Sequence, residues 1–140
     1  MALSFYTSFA EDLADAGLDW VADTINIVIM TNTYTFSAAH NFRDDITNEV
    51  SGTGYSSGGL ALDTKTASAA NPCVMSAADE VISQNAGGFS NGRKYALAKI
   101  LGGAASADPL ICYGAAGADF GNVAGQLTLD VPTSFITISV

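Results

Sequence analysis

The sequence predicts a mainly β fold: an antiparallel β-sandwich or barrel-like domain led by one short N-terminal α-helix. Three observations predict it. Short apolar runs with period-two alternation recur along the chain, rich in Ile, Val, Leu and Thr. Turn-forming clusters of Gly, Asn, Asp and Ser separate them. Only the first stretch carries a helical period, and no repeat at a fixed spacing is present.

Residues 1–17 form the helical segment, with the helix itself predicted over 4–16. Phe5, Phe9, Leu13 and Ala16 fall on one face, Ser4 is placed to cap the start, and Gly17 is placed to end the helix in a left-handed turn. Residues 18–140 form the β part of a single domain. "DTINIVIMT" (23–31) reads as a central strand, apolar on nearly both sides. The stretch 32–59 is polar and turn-rich, long for a loop, with a short helical turn predicted near 38–45. "LALDTKTAS", "CVMS" and "EVISQ" read as short strands, and residues 84–92 as a second long loop. "RKYALAKIL" reads as a strand with Tyr95 and Leu97 opposite Ala96 and Ala98, although its alanines also permit a helix. "PLICYGAA", "QLTLDV" and "SFITISV" close the chain, the last with Ile136, Ile138 and Val140 on one face.

Composition narrows the function classes. The chain has 140 residues, 49% hydrophobic and 14% charged, so it can bury one real core. Fourteen acidic residues against five basic ones give a net charge of −9. Such a surface repels nucleic-acid backbones and anionic membranes, so neither is expected as a partner. No segment is apolar for the roughly 20 residues of a membrane span, and the N-terminus lacks the basic region of a signal peptide. Cys73 and Cys112 are not at zinc-site or redox-motif spacing and sit in apolar runs. They read as buried free thiols rather than a disulfide.

Each candidate for chemistry meets a plainer reading. Gly54-Tyr55-Ser56-Ser57-Gly58 fits G-x-S-x-G, the elbow that presents a nucleophilic serine. That elbow needs a strand before it and a helix after it; here polar turn residues precede it and glycines follow. The one histidine, His40, lies before Ser56 rather than after it. The run reads as a glycine-rich turn leading into a strand. It also lacks the third glycine or G-K-[ST] of a phosphate cradle. Asn41, Asp44, Asp45 and Asn48 offer oxygens to calcium, but their spacing is not that of an EF-hand loop, and Asp and Asn serve turns equally well. His40 reads as a hydrogen-bonded loop residue. No cofactor or metal is expected, and the protein reads as non-enzymatic. The weighed alternatives are a small hydrolase using Ser56 or an acid pair, and a carbohydrate-binding adhesin using Trp20, Phe42 and Tyr55 as a platform.

Several segments resemble a family of small virion proteins of tailed bacteriophages. "FAEDLADAGLDWVADTINIVIMTNTYTF" is similar to that family's opening: a short helix ending near glycine, a D-[ST]-I-x-[IV] strand, then T-x-x-Y-T. "HNFRDDITNEVSGTGYSSGGLALDTKT" is similar to its most distinctive run. In it a His and an aromatic residue precede D-[IV]-T-N-E-V-S-G-T-G-Y, a glycine pair follows, and a strand ends in K-T. "DPLICYGAAGADFG" and "FITISV" resemble its late strands. The resemblance spans roughly residues 5–66 and 93–140. Between them "AADEVISQ" lacks the tryptophan of the pattern, which leaves the strand register at 70–92 open.

The resemblance implies a structural protein of the phage particle, most naturally a capsid decoration or cement protein. Such a protein is made in the host cytoplasm and binds the major capsid protein on the capsid exterior, often as a homotrimer. A low-copy neck, tail or fibre role is the alternative. Phe5, Tyr6 and Phe9 are the candidate capsid or subunit interface. The loop-structuring candidates are Asn48, Glu49, Gly52, Gly54, Tyr55, Gly58 and Gly59. In that reading Asn48 and Glu49 bond to backbone amides, the glycines permit positive φ, and the Tyr55 ring pins the loop to the core.

Overall fold

In a computed structural model, which describes residues 3–139, the chain is mainly β, with antiparallel sheets and one short helix near the N-terminus. The elements in chain order are β1 (Ser4–Phe5), α1 (Thr7–Ala14), β2 (Ile25–Thr31), β3 (Leu60–Ala61), β4 (Thr66–Ala67), β5 (Cys73–Ser76), β6 (Glu80–Ile82), β7 (Gly92–Lys99), β8 (Leu110–Phe120), β9 (Leu127–Leu129) and β10 (Ile136–Ile138). Two single 3-10 turns, Arg43–Asp45 and Ala105–Ala107, lie in the connections.

The first layer is a five-stranded sheet in the order β1-β8-β7-β2-β3. Its centre is the pairing of β2 with β7, from Ile25↔Lys99 to Thr31↔Gly92. Strand alternation gives this sheet two buried faces. Ile25 and Ile27 of β2, with Tyr95 and Leu97 of β7, enter one hydrophobic cluster; Met30, Ala96 and Ala98 enter another. That explains why 23–31 reads as apolar on both sides, and why the alanines of β7 do not make it a helix: they are the small residues of one sheet face.

The second layer is a long antiparallel ribbon with an interruption. β5 pairs with β10 and β6 with β9, while the chain between them runs three residues on one strand (77–79) and six on the other (130–135). β4 extends the ribbon beside β5. Met75 and Ile136 pack against the Ile25–Leu97 side of the first layer, and Ile82 against Ile29 with Val50, Tyr55 and Phe89. The result is sandwich-like packing of two layers.

Several sequence expectations need correction. The helix starts at Thr7, not Ser4, because Ser4 and Phe5 pair with Tyr113 and Cys112 at the edge of β8. Ser4 is therefore not its cap, and Tyr6 stands at that position without a side-chain cap bond. The left-handed residue after the helix is Ala16 (φ 53), and the Gly17 N–H bonds the Asp12 carbonyl at 2.7 Å. These are the bonds of a Schellman motif with alanine in the position glycine favours. "LALDTKTAS" is two short strands in different layers, broken at Thr64 (φ 47). β8 runs on to Phe120, well past "PLICYGAA". Cys112 is buried, but Cys73 is only half-buried; both are free thiols. Val140 and the first two residues lie outside the described residues. Among the described residues no helix is long and apolar enough to cross a membrane.

Candidate functional site

The two long sides of the sandwich are built differently, and the glycine-rich run explains the first. β2 has β7 on one side; its other side would be an open edge. The run 48–62 covers that edge group by group. Thr31 N–H donates to the Asn48 carbonyl at 2.9 Å, Val50 N–H to the Ile29 carbonyl at 3.0 Å, and Leu62 N–H to the Ile25 carbonyl at 2.8 Å. Between them Ile27 pairs with Leu60 of β3. The remaining donor, Ile29 N–H, is met by a side chain: the Tyr55 hydroxyl accepts it at 2.9 Å.

Glu49 holds this cover together. Its carboxylate accepts from the Tyr55 hydroxyl (2.7 Å), the Gly58 N–H (2.7 Å) and the Ser57 hydroxyl (3.0 Å). Tyr55 thus takes a proton donor from β2 and gives its own proton to Glu49. Its ring is buried and meets Phe89 edge-on, with centroids 5.7 Å apart. Desolvation, then the bond to Glu49, pushes the phenol far above its ordinary range, so it stays a neutral donor.

Asn48 contributes through its backbone. It sits at φ 63 and offers its carbonyl to β2. Gly59 is required sterically: at φ +90, a Cβ there would lie 2.4 Å from the Ile27 carbonyl oxygen. Gly58 lies against the Arg43 guanidinium, Gly52 against the Gly88–Phe89 backbone, and Gly54 against Asn122 and Ile82.

Two buried polar hubs brace the loops, and neither was singled out from sequence. Asp108 is fully buried. It accepts from Arg43 Nε at 2.9 Å and Nη2 at 2.8 Å, and from Leu101 N–H at 2.8 Å. Asn122, also fully buried, accepts from Phe89 N–H and donates to the carbonyls of Thr53 and Ser83, each at 3.0 Å. Each joins segments distant in sequence, so no local pattern announces it. The only signals are an Asp before Pro109 and an Asn between glycine-rich turns.

Ser56 and His40 do not form a catalytic pair. The Ser56 side chain is exposed on the outer turn, and its carbonyl accepts from Gly59 N–H. His40 Nδ1 is hydrogen-bonded to the Tyr34 hydroxyl at 2.9 Å, which in turn meets the Tyr6 hydroxyl at 3.1 Å. Asp45, weighed as a calcium ligand, turns its carboxylate to the N–H groups of Asn41 (2.8 Å) and Phe42 (3.1 Å). Among the described residues no cluster of His, Cys, Asp and Glu is arranged to hold a metal.

Of the three interface candidates, Tyr6 and Phe9 lie in the core. Phe5 is 42% exposed and stacks on Phe9 at 5.0 Å. Among the described residues the other large apolar side chains that are well exposed are Leu13, Val21, Phe42, Val81 and Leu101. Trp20, weighed as part of a sugar platform, is buried, and its indole N–H donates to the Ser76 carbonyl.

The opposite long side is covered over a shorter stretch among the described residues: β1 pairs with β8 at Cys112 and Tyr113, and the Tyr6 N–H donates to the Ile111 carbonyl. Beyond them an apolar cleft of about 580 Å³ enters between the layers. Its floor is Ile27 and Tyr95, one wall is Ala116 and Phe120, and the other is Leu129 and Phe135. Tyr95 lies flat because its strand partner is glycine: a Cβ on Gly114 would be 2.3 Å from the phenol ring. Burial, with a smaller push from Cys112, raises the Tyr95 phenol to about 12.

All five basic side chains are bound within the chain. Arg43 pairs with Asp108, Arg93 with Asp119 and Lys99 with Asp23, while Lys94 and Lys65 donate to backbone carbonyls. The charge left facing outward is acidic. No family model matches the chain, and neither does any curated protein or solved structure.

Proposed function

We propose that the protein is a structural component of a tailed-phage particle, and within it a capsid decoration (cement) protein. In this reading it binds the major capsid protein on the outside of the mature shell, as a homo-oligomer, most naturally a trimer. The observation that carries the reading is the surface: every basic side chain is engaged internally, so an acidic exterior with isolated apolar side chains is what a partner meets. Such a surface is steered toward basic patches and away from packaged nucleic acid. The sequence resemblance, strongest over 40–66, supports the same reading.

The mechanism is holding rather than reacting. Many modest contacts, repeated by the symmetry of the shell, add to a durable coat. Of the three aromatic candidates, Phe5 has surface to offer a neighbour and Phe9 stacks against it, while Tyr6 is buried in the separate cluster of Tyr34 and Phe36. The copy number in purified particles, relative to the major capsid protein, tests the proposal. A ratio near unity supports a shell-wide coat. A minor trace would move the protein to the neck or tail, and absence from the particle would overturn the virion reading.

A further inference from the structure

The fold uses only one edge of its helix. α1 carries four apolar side chains, Phe9, Ala10, Leu13 and Ala14, and of these Phe9 alone is buried. Helical spacing makes Ala10 a neighbour of both Leu13 and Ala14, so the three share one outward stripe. An apolar stripe of that width ordinarily faces a core. Phe5 extends it past the start of the helix, with its ring stacked on Phe9 and well exposed. The support beneath is fixed. The Thr7 N–H and hydroxyl both donate to the Ala38 carbonyl at 2.9 Å, and the Ser8 hydroxyl donates to the Leu110 carbonyl at 3.2 Å. A rigid, uncovered apolar face loses little freedom when a partner covers it.

Charge selects the occupant. Residues 11–23 carry five carboxylates, Glu11, Asp12, Asp15, Asp19 and Asp23, and no basic residue. Glu11 borders the stripe, one turn from Thr7 and from Ala14, and Asp15 follows Ala14 at the helix end. Glu11, Asp15 and Asp19 are exposed. Lys99, whose ammonium reaches this segment, is already held by Asp23 at 2.8 Å and the Gly17 carbonyl at 2.6 Å. A second copy would bring the same carboxylates, and its cations are engaged within its own chain. We propose that the face formed by Phe5, Ala10, Leu13 and Ala14 docks on a different protein, at a surface where aliphatic side chains stand beside Lys or Arg. The aliphatic groups cover the stripe, and the cations answer Glu11 and Asp15. The proposal deepens the capsid reading and rests on it only for the partner's identity, since the face and its chemistry are tested without a particle.

The test is a titration of the full chain, followed by backbone NMR, with the amphipathic peptide Lys-Leu-Leu-Lys-Lys-Leu-Leu-Lys and its counterpart with Glu in place of Lys. The expected result is shifts centred on 5–19, with the Glu peptide roughly tenfold or more weaker. Ala10→Arg puts a long cation on the exposed stripe and leaves Phe9 in place, so it should weaken the Lys peptide by a similar factor. Glu11→Lys combined with Asp15→Lys, both at exposed sites, should reverse the preference between the two peptides. The proposal is overturned by shifts centred on other acidic surface, by equal binding of both peptides, by no shifts at millimolar peptide, or by indifference to Ala10→Arg. It is equally overturned if the protein self-associates in sedimentation and Ala10→Arg abolishes that, because the occupant would then be a second copy. A protein that is absent from particles yet binds the Lys peptide here would overturn the capsid reading and leave this face standing. One present at shell stoichiometry that fails to bind would do the reverse.

Discussion

The β2 side and the β8 side of this sandwich face the same physical problem and solve it differently. A strand at a sheet edge leaves backbone donors and acceptors without partners, and natural proteins cover, twist or charge such edges. On the β2 side a loop with little regular structure does the covering: Asn48, Val50, Tyr55, Leu60 and Leu62 meet β2 from Thr31 back to Ile25. On the β8 side, among the described residues, β1 pairs with two residues, and beyond them β8 bulges from β7 beside an apolar cleft. A glycine-rich, polar sequence can therefore be the more tightly specified region, and a strand of small apolar residues the looser one. What matters is whether each backbone group has a partner, not whether the segment is a strand.

The largest difference between the sides should come from adding one methyl group. Gly59→Ala would force a Cβ toward the Ile27 carbonyl in a left-handed conformation. A loss of about 3 kcal/mol or more is expected from strain and displacement of the cover. Gly117→Ala, on the other side, has open space around it and should change stability by no more than about 0.5 kcal/mol. Chemical denaturation of both variants checks this, and equal losses would break the comparison.

Next in size is the hydroxyl of Tyr55. Tyr55→Phe keeps the ring but leaves the Ile29 N–H and one Glu49 oxygen without that partner. A destabilisation of about 1–3 kcal/mol is expected, because a buried donor loses its bond. If the loss is negligible, the hydroxyl is not part of the cover.

Acid should act on groups away from the cleft. The N–H groups of Phe42 and Asn41 hold the Asp45 carboxyl below its usual value. Partial burial pushes Asp23 up, but the Lys99 ammonium and the Asp19 N–H outweigh it, and that group also titrates low. For both, the folded pKa lies below the unfolded one, near 3.9 for Asp. Their stabilisation is present above that value and is lost as pH falls through the folded pKa. Asp12 works in the opposite sense. Partial burial raises its carboxyl against the pull of Lys99, so acid relieves a small cost there. Stability should thus be level above about pH 5 and fall below about pH 4. Asp45→Asn should flatten part of that fall in acid titrations followed by circular dichroism.

The smallest effect is expected at Ser56. Ser56→Ala should shift stability by less than about 0.5 kcal/mol, since its side chain is exposed and its carbonyl makes the turn. If the protein coats a particle as proposed, the same substitution should leave assembly unchanged; a loss of assembly would return attention to the serine.

Much of this architecture was legible in the sequence. β2, β7 and β10 follow from alternation, and the run 48–59 was readable as an ordered turn because its glycines, Glu49 and Tyr55 are residues that fix loops. What could not be read was decided at a distance. Ser4 and Phe5 sit in a helical pattern but are captured by β8 from over a hundred residues away, at Tyr113 and Cys112. Tyr6 and Phe9 look like a docking face until the aromatic cluster of Tyr34 and the core around Trp20 close over them. Asp108 and Asn122 carry no local mark of being buried hubs. The cleft is the least legible of all, because it arises where the ribbon pairing of β5–β10 and β6–β9 is interrupted, between residues 130 and 135.

The most direct measurement of the contrast between the two sides is amide hydrogen exchange on the isolated protein. The Ile29, Thr31 and Val50 amides, whose bonds join β2 to its cover, should exchange slowly, close to the global unfolding limit. The amides of 116–119, where β8 bulges away from β7 between the Ala115↔Lys94 and Phe120↔Gly92 pairs, should exchange far faster. Fast exchange at Ile29 and Thr31 together with protection across 116–119 would contradict the account, because it would mean that the sealed side and the open side had been assigned the wrong way round.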